Sequence, residues 1–438
     1  MRHLAVLGLL LLMPMACAQT TPTPVNEIGP SPQLPKADRQ WIPTVNIAPA
    51  VGWRDGAQPE PAPGLTLTAF ADGLDHPRWL YVLPNGDVLV AETNAPPKLA
   101  EKGGLRSWFM KRTMKKAGAG VPSANRITLL RDADADGVAE VREVFLSNLH
   151  SPFGMVLVGD QLYIANADAI VRVPYREGET RIAEVPVKVA DLPGGPINHH
   201  WTKSLVASAD GKRLYAGIGS NSNVGENGME NETDRAAVLE IDIATGQRRV
   251  YASGLRNPVG LAWQPQTGAL WAVVNERDEI GDELVPDYLT EVRRGAFYGW
   301  PYSYYGQHVD TRVKPQRADL VARAIPPDYA LGAHVAALGL AFAPAQGWAP
   351  PFDAGAFIGL HGSWNRSNPV GYKVVFVRFD GGKPQGTPID VLTGFLDDEG
   401  NARGRPVGVG FDHRAGLLVA DDVGNVIWRL APAAAPTR

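Results

Sequence analysis

The sequence feature that most constrains the fold is an apolar hairpin that recurs along most of this 438-residue chain. Each copy joins two apolar segments through a tight turn rich in Gly, Asp, Asn or Pro, as at Asn85-Gly86. Alternating apolar residues on both sides of such turns are typical of antiparallel β-hairpins. The six copies span residues 78–93, 153–167, 204–220, 260–275, 339–364 and 407–422. The pattern therefore predicts an all-β protein.

The number of hairpins predicts how the strands are arranged. A propeller blade needs about 40–45 residues, so six blades fit a chain of this length with insertions left over. We predict a six-bladed β-propeller with four-stranded antiparallel blades and short insertions over residues 65–431, with outer strands such as 238–243 and 373–379. Residues 65–70 and 426–430 are expected to share one blade, which closes the ring and removes the open sheet edges. The alternative is a set of unrelated β-sandwiches.

The start of the chain is typical of a secretory signal. A charged beginning precedes an apolar core at residues 4–15, which is too short to span a bilayer. We expect residues 1–18 to be a signal peptide and residues 19–64, rich in Pro, Thr and Ala, to form an extended leader. A lipoprotein site at Cys17 fits less well, because the bulky Met15 stands close before it. The mature protein is therefore predicted to be periplasmic or secreted, without a transmembrane segment.

Charge, cysteine content and missing motifs exclude several classes of protein. A net charge of −4 argues against a nucleic-acid partner, which would require a basic surface. Cys17 is the only cysteine, so the body of the chain has neither a disulfide framework nor a thiolate metal site. No G-x-G-x-x-G follows a strand, and H-E-x-x-H, G-x-S-x-G and C-x-x-C-H are absent. These absences argue against a nicotinamide site and against covalently attached haem.

Two insertions interrupt the hairpin pattern. Residues 95–126 interleave lysines and arginines with apolar residues such as Trp108 and Phe109. We favour a helix packed on the propeller over a basic amphipathic helix that binds a membrane surface or an acidic electron-transfer partner. The second insertion, residues 302–334, is irregular, and the sequence assigns it no role.

One acidic segment matches the calcium-loop pattern D-x-D-x-D-G-x5-E. Alternate carboxylates of such a loop surround a hard cation, and the glycine permits the sharp turn. The flanks, residues 126–130 and 141–146, resemble strands, so we predict a structural Ca²⁺ site rather than a helix-loop-helix sensor. The predicted ligands are Asp132, Asp134, Asp136, the backbone carbonyl of Val138, and Glu143. The alternative is a solvated acidic turn.

Several polar side chains stand just before apolar inner strands, where a propeller presents them near its axis. His200 is a candidate general base, because a neutral imidazole can take a proton from a hydroxyl group. Arg256 is a candidate cation for stabilising a developing oxyanion. Arg403 and Arg405 are suited to binding carboxylates through their guanidinium groups. Taken singly, each of these residues more often has a structural role or forms a surface salt bridge.

Together, however, these segments resemble a known family, the soluble pyrroloquinoline quinone (PQQ)-dependent sugar dehydrogenases. These proteins are six-bladed propellers and include sorbosone-dehydrogenase-like members. The similarity runs from about residue 76 to residue 430, and the order and spacing of its segments make it specific. The densest segments are His199-His200, residues 255–261, 281–284 and 298–301, and Arg403-Gly404-Arg405.

The resemblance implies a role for each of these residues. His200 is implied to be the general base that takes the proton of the sugar C1 hydroxyl while hydride passes to PQQ. Arg256 is implied to lie against the quinone oxygens and to stabilise the reduced anion, and Asn257 to help hold the ring. Arg403 and Arg405 match the pair near the cofactor carboxylates.

The resemblance also implies a catalytic Ca²⁺ in the acidic segment 275–283. The family binds this ion through two backbone carbonyls, which align with Arg277 and Asp278, and the ion polarises the quinone carbonyl. Asp282 is implied to support the site from behind the carbonyl ligands.

Three departures from the family pattern stand out. The usual carboxylate before the catalytic histidine is His199, and the Gly-Pro pair at the calcium carbonyls is Arg277-Asp278. The cofactor-facing lysine of blade five has no match, and Arg366 or Lys373 is expected to supply the missing cation. Residues 362–366 resemble the sorbosone-dehydrogenase-like branch, so the substrate need not be glucose.

The sequence therefore predicts an exported quinoprotein dehydrogenase that uses PQQ and Ca²⁺. It is expected to oxidise an aldose or a related aldehyde hydrate at C1 and to pass electrons to an external quinone or cytochrome. Two alternatives remain open from the residues. One is a calcium-dependent propeller lactonase or hydrolase, and the other is a cofactor-free propeller that binds carbohydrate or protein.

Overall fold

A computed structural model describes residues 26–38, 44–97, 116–118 and 120–433. The predicted signal peptide at residues 1–18 lies outside the described residues, as does most of the basic insertion. Among the described residues, no helix is long and apolar enough to cross a bilayer.

Six antiparallel sheets form the body of the molecule, and the predicted six-bladed propeller is confirmed. Each sheet has four strands that pair with their neighbours in chain order, except that one sheet takes its outermost strand from Leu65–Ala71, and two sheets carry a fifth strand at their outer edge. We number the blades 1 to 6 from the sheet that contains Pro77–Val82. Blades 1 to 3 comprise Pro77–Val82, Val88–Glu92, Arg126–Arg131 and Val141–Leu146; Met155–Val158, Gln161–Ala165, Ala169–Pro174 and Val187–Asp191; and Leu205–Ala207, Arg213–Ile218, Ala237–Asp242 and Arg248–Ser253. Blades 4 to 6 comprise Asn257–Trp263, Leu270–Asn275, Pro286–Glu291 and Tyr329–Ala333; Ala337–Phe342, Gly355–Leu360, Lys373–Asp380 and Lys383–Thr393; and Pro406–Phe411, Leu417–Asp421, Val426–Pro432 and Leu65–Ala71.

The ring closes where the sequence predicts. Leu65–Ala71 pairs antiparallel with Val426–Pro432, so the two ends of the propeller are joined in blade 6. This pairing occupies backbone groups that would otherwise form two open sheet edges.

The turn of the first hairpin shows why these segments form β-structure. Gly86 has a φ of 91° and donates its N–H to the carbonyl of Leu83 at 2.9 Å. Asn85 accepts the N–H of Asp87 through its side-chain oxygen at 3.2 Å. These contacts close the turn locally, so the flanking apolar strands pair in a single register.

The propeller axis is filled by a plug of apolar side chains. Phe153, Trp201, Val259, Leu338 and Val407 form one buried cluster, with Trp79 packed against it. The six residues come from the innermost strands of the six blades or from just before them. Glycines let these strands approach: a Cβ on Gly260 would lie 2.7 Å from the carbonyl oxygen of Leu338. The plug blocks the axis, so any cavity near it must lie on one side.

The described part of the predicted leader packs across the propeller. Ile28–Gly29 adds a fifth strand to blade 4, and Glu60–Pro61 adds one to blade 5. Between them, the N–H of Asn46 donates to the carbonyl of Trp364 at 2.9 Å. The N-terminal segment therefore passes over blades 4 to 6.

The insertion at 302–334 contains a two-stranded ribbon, Ser303–Tyr304 with His308–Val309, and a short helix, Ala318–Val321. A 3-10 turn, Met229–Glu232, lies in blade 3.

Candidate active site

A cavity of about 340 Å³ lies where the innermost strands of blades 3 to 6 begin. Three of its lining residues stand just before residues of the apolar plug in the sequence. His200 precedes Trp201, and Asn257 and Arg405 stand two residues before Val259 and Val407. Because side chains alternate along a strand, residues two apart project to the same side, and the plug lies directly beyond the cavity. The predicted residues that the cavity brings together are His200, Arg256, Asn257, Asp278 and Arg405.

His200 is held as a neutral base. Its Nδ1 lies 2.7 Å from the backbone carbonyl oxygen of Ser220, which can only accept a hydrogen bond. Nδ1 therefore carries the proton and Nε2 the lone pair. Burial lowers the pKa of His200 well below its ordinary value, and the nearby His199 and Arg256 lower it further. The imidazole is consequently neutral at physiological pH.

Arg256 is fixed by acceptors on several sides. Its Nη1 donates to the carbonyl of Glu276 at 2.7 Å, and its Nε donates to the carbonyl of Asn223 at 3.3 Å. Its Nη2 lies 3.3 Å from the carboxylate of Asp278. The guanidinium is 4% exposed, so its position at the cavity wall is set by the protein rather than by solvent.

Sequence reasoning missed His334, which shares the carboxylate of Asp278 with Arg256. His334 Nδ1 lies 3.0 Å from Asp278 Oδ1, and its Nε2 lies 2.9 Å from the carbonyl oxygen of Gly281. Burial alone would lower the pKa of His334, but these two acceptors raise it above its ordinary value. Its place just before the innermost strand of blade 5 matches that of His200 before blade 3, and this signal could have identified it.

Two buried carboxyl groups in the wall were also missed. Burial raises the pKa of Glu276 to about 8 and that of Asp287 to about 7. Glu276 Oε2 accepts the N–H of Arg277 at 2.9 Å, while its Oε1 has no hydrogen-bond partner among the described residues. Asp287 accepts the N–H groups of Glu276 and Ala336, each at 2.7 Å.

Of the two predicted carboxylate-binding arginines, one lines the cavity. Arg405 is 4% exposed, donates from Nη2 to the carbonyl of Ala48 at 3.1 Å and stacks 4.9 Å from the centre of the Tyr372 ring. Its Nε has no partner among the described residues, which leaves one buried donor for a bound anion. Arg403 is half-buried and is not one of the lining residues.

The structure places the two residues predicted to supply the missing cation, Arg366 and Lys373, outside the lining of this cavity. Arg366 pairs with Glu27 at 3.1 Å, and Lys373 pairs with Asp390 at 2.7 Å. Arg366 and Lys373 both line a separate cavity, which lies beneath the N-terminal segment and between the outer parts of blades 4 and 5. Each of these two side chains is therefore already paired with a carboxylate outside the active-site cavity.

His361 occupies the cavity wall at the end of the second strand of blade 5 instead. Its Nε2 lies 2.9 Å from Asp422, which also accepts from Arg78 at 2.6 Å. Burial lowers the pKa of His361 to about 4, although Asp422 opposes this shift. Burial would raise the pKa of Asp422, but its contacts with His361, His76 and Arg78 hold this pKa well below its usual range.

In the cavity loop, residues 275–283, only one of the two residues whose carbonyls were predicted to bind calcium, Asp278, lines the cavity. Arg277 is 2% exposed, and its guanidinium pairs with Asp310 rather than lining the cavity. The carbonyl oxygen of Asp278 accepts hydrogen bonds from Arg277 and Asn223. Asp282 accepts the N–H of Ser367 at 2.8 Å and also lies outside the cavity lining. The donor set of this loop therefore does not fit a metal ion bound through the Asp278 carbonyl.

The second acidic loop, which we call the outer loop (residues 132–140), lies in blade 1. Carboxylate oxygens of four residues lie within 4.8 Å of one another, and this group includes Glu140 rather than the predicted Glu143. Glu143 lies within the following strand and pairs with Arg181 at 2.5 Å. Val138 is exposed and donates its N–H to Asp136 at 2.8 Å. The four grouped residues are Asp132, Asp134, Asp136 and Glu140.

The cavity wall offers positive charge and unpaired polar atoms to an anionic ligand. Arg256 and Arg405 stand in its wall, and the Nε of Arg405 lacks a partner. Among the described residues, Asn257 Oδ1 is buried without a hydrogen-bond partner, and Gly219 packs closely against both Asn257 and His200, because a Cβ there would collide with them. A base, a fixed cation and unpaired polar atoms therefore surround one space.

Comparison with known proteins identifies the family of the chain. A family model described as glucose/sorbosone dehydrogenase matches residues 74–361, and a TrAA12-like model matches residues 305–433. An aldose sugar dehydrogenase of Escherichia coli is 23% identical over 64% of this chain and 73% of its own length. A PQQ-dependent pyranose dehydrogenase of Coprinopsis cinerea is 25% identical over 41% of this chain and 30% of its own length.

Solved structures share the fold. The PQQ domain of the Coprinopsis cinerea pyranose dehydrogenase, in its holo form, superposes with a TM-score of 0.69 at 20% identity, covering 88% of this chain and 100% of that one. The PQQ-bound aldose sugar dehydrogenase of Streptomyces coelicolor gives a TM-score of 0.54 at 18% identity, covering 85% and 99% of the two chains.

Proposed function

The chain belongs to the glucose/sorbosone dehydrogenase family, and from this premise we propose that it oxidises the C1 hydroxyl of an aldose or related aldehyde hydrate with PQQ as hydride acceptor. The observation that carries the proposal is the pairing of a neutral His200 with a fixed Arg256 in one cavity. A hydroxyl oxidation needs a proton acceptor and a positive charge near the oxidant, and this wall offers both.

The residues that would hold the cofactor are those with unused polar atoms. Arg405 offers its unpaired Nε to a carboxylate, and Asn257 offers its side chain beside His200. When bound, PQQ supplies an electrophilic quinone that accepts two electrons and a hydrogen as hydride. Arg256 would contribute a fixed positive charge from the cavity wall, which would stabilise negative charge on the reduced cofactor.

His200 performs the proton transfer. Its Nδ1–H remains bonded to Ser220, so Nε2 is the atom that takes the proton of the C1 hydroxyl. The buried imidazole carries little positive charge at rest, which keeps it ready to accept a proton. The apolar plug behind the cavity limits water at the reacting groups.

We further propose that the outer loop binds Ca²⁺ as a structural ion. Support comes from the four grouped carboxylates and from Gly137, whose φ of 96° permits the sharp turn. No step of the reaction is assigned to this ion. Export through a signal peptide at residues 1–18 and electron transfer to an external quinone or cytochrome complete the proposal.

The proposal is tested by adding PQQ to the purified apo-protein and following reduction of an artificial dye with a panel of aldoses and aldehydes. We expect turnover that His200→Gln lowers by at least about 100-fold, because general base catalysis contributes that much. PQQ binding, measured by quenching of tryptophan fluorescence, should change little in this variant. His308→Gln, at an exposed histidine that does not line the cavity, is the control.

Failure of PQQ to bind, or to support dye reduction with any sugar, would contradict the proposal. Hydrolysis of a lactone in the absence of PQQ would favour the hydrolase instead.

A further inference from the structure

The cavity loop contains a buried arginine where the family resemblance places a metal ion. Arg277 is 2% exposed, and its Nη1 pairs with Asp310, which is equally buried. On its other side, its Nε and Nη2 lie 3.3 and 2.9 Å from the carbonyl oxygen of Asp278. This oxygen is one of the two that the resemblance assigns to Ca²⁺.

Asn223 holds the same peptide from a different direction. Its side-chain oxygen accepts the N–H of Asp278 at 2.9 Å, and its Nδ2 donates to the carbonyl oxygen of Asp278 at 3.1 Å. The carbonyl thus accepts N–H groups from two side chains, while a carbonyl oxygen has only two lone pairs. The next residue is anchored as well, because Glu279 donates its N–H to Asn365 at 2.8 Å.

A calcium ion cannot use this carbonyl without a rearrangement. Ca²⁺ requires oxygen ligands at about 2.3–2.6 Å, and a guanidinium already stands at the oxygen concerned. A divalent cation brought beside Arg277 in this buried place would also be repelled by its charge. Turning the peptide toward the ion would break the hydrogen bonds from Asn223 and Arg277.

The insertion at 302–334 explains why the arginine stays in place. This insertion supplies Asp310, whose carboxylate also accepts the N–H of Arg312 at 3.0 Å. Asp310 thereby gives Arg277 a fixed counter-charge inside the protein. The insertion therefore supplies the counter-charge for the arginine that stands where the family has the glycine of its Gly-Pro pair.

We infer that Arg277 takes the place of the calcium ion at the cavity loop, so that PQQ binds in the cavity without a divalent cation there. The inference rests on the proposed function, because it concerns how the same cavity takes the same cofactor. The side chain of Asp278, held by Arg256 and His334, keeps this wall fixed without an ion.

The test measures PQQ affinity by tryptophan fluorescence in excess EGTA and in millimolar calcium chloride. The protein is the full chain with Asp134→Asn and Asp136→Asn, which remove two carboxylates from the outer loop so that an ion there does not contribute. We expect dissociation constants that agree within about twofold. Binding tightened by calcium more than about tenfold would overturn the inference and leave the proposed function standing. Absence of PQQ binding in both buffers would overturn both.

A second variant tests the role of Arg277 directly. Arg277→Gly combined with Asp310→Asn removes the guanidinium without leaving a buried carboxylate unpaired. We expect PQQ binding that is weakened in EGTA and recovers with calcium chloride by more than about tenfold. Asp310→Asn alone, which keeps Arg277, should remain independent of calcium. Equal affinities with and without calcium in the double variant would overturn the assignment of this role to Arg277.

Discussion

The cavity loop and the outer loop are both rich in carboxylates, but their surroundings are opposite. In the outer loop, Asp134, Asp136 and Glu140 are exposed. In the cavity loop, Glu276 and Asp278 are buried, and arginine or histidine side chains hold Asp278. Loops of similar composition therefore differ in burial: three carboxylates of the outer loop face solvent and Asp132 is paired with an arginine, Arg414, whereas the charges of the cavity loop are balanced within the protein.

The difference teaches that the spacing of acidic residues does not define a cation site. A loop can bind a cation only if the oxygens of its acidic residues are free to turn toward the ion. In the outer loop, Asp132 accepts the backbone N–H groups of Ala135 and Gly137 and pairs with the guanidinium of Arg414, but the exposed carboxylates of the loop remain accessible. In the cavity loop, the Asp278 carbonyl accepts side-chain donors from Arg277 and Asn223.

Replacing Arg277 by Ala is expected to give the largest effect that separates the two loops. Asp310, at 3% exposure, would lose its main counter-ion, with Arg312 Nε still 3.9 Å away. Breaking a buried pair from one side typically costs about 3–5 kcal/mol, so the free energy of unfolding should fall by about 3 kcal/mol in urea denaturation. The control Arg181→Ala removes the partner of Glu143 beside the outer loop and should cost less than about 1 kcal/mol. If the two variants lost equal free energy of unfolding, the pairing of Arg277 would be no more important than a surface ion pair, and the distinction between the loops would not hold.

A smaller effect is expected from the buried acid of the cavity loop. Burial raises the pKa of Glu276 from 4.5 to about 8, so the folded protein binds this proton more tightly than the unfolded chain. Stability should therefore fall as pH rises between about 4.5 and 8, and Glu276→Gln should remove this part of the fall.

The measurement is the free energy of unfolding by urea from pH 5 to pH 9. At pH 9 the variant should gain at least about 1 kcal/mol relative to wild type, compared with their difference at pH 5. Glu140→Gln, in the outer loop, is the matched exposed control and should leave the shape of the profile unchanged. A profile for Glu276→Gln parallel to that of wild type would show that Glu276 is charged in the folded protein.

Local sequence was sufficient to predict the fold. Turns such as Asn85-Gly86 are closed by hydrogen bonds among neighbouring residues, so their signal is present in a short window. The pairing of Leu65–Ala71 with Val426–Pro432 was also predicted, because a ring of hairpins leaves no other partner for the last blade. The strand that follows the outer loop explains the error at Glu143. The spacing D-x-D-x-D-G-x5-E assumes a helix after the loop, whereas here a strand begins at Val141 and Glu140 is the last loop residue.

The parts of the site that were missed depend on partners far away in the sequence. Arg366 was predicted to face the cavity, but its partner Glu27 lies 339 residues earlier and holds it elsewhere. His334 gains its role from Asp278, which reaches it only once blades 4 and 5 are side by side. Burial sets the raised pKa of Glu276, and a residue's own neighbours in the chain do not reveal burial of this kind.

The smallest effect is expected in the outer loop, from Asp134→Asn. This carboxylate is exposed and accepts the N–H of Asp136 at 3.1 Å, which the amide oxygen of asparagine can also accept. In EGTA, the variant should therefore match wild type within about 0.5 kcal/mol of unfolding free energy. With calcium chloride, wild type should gain stability in proportion to the logarithm of the calcium concentration, and the variant should gain less, because a bound ion stabilises only the folded state. An identical calcium response in the two proteins would mean that the outer loop binds no ion through Asp134, and the contrast between the loops would then be one of burial alone.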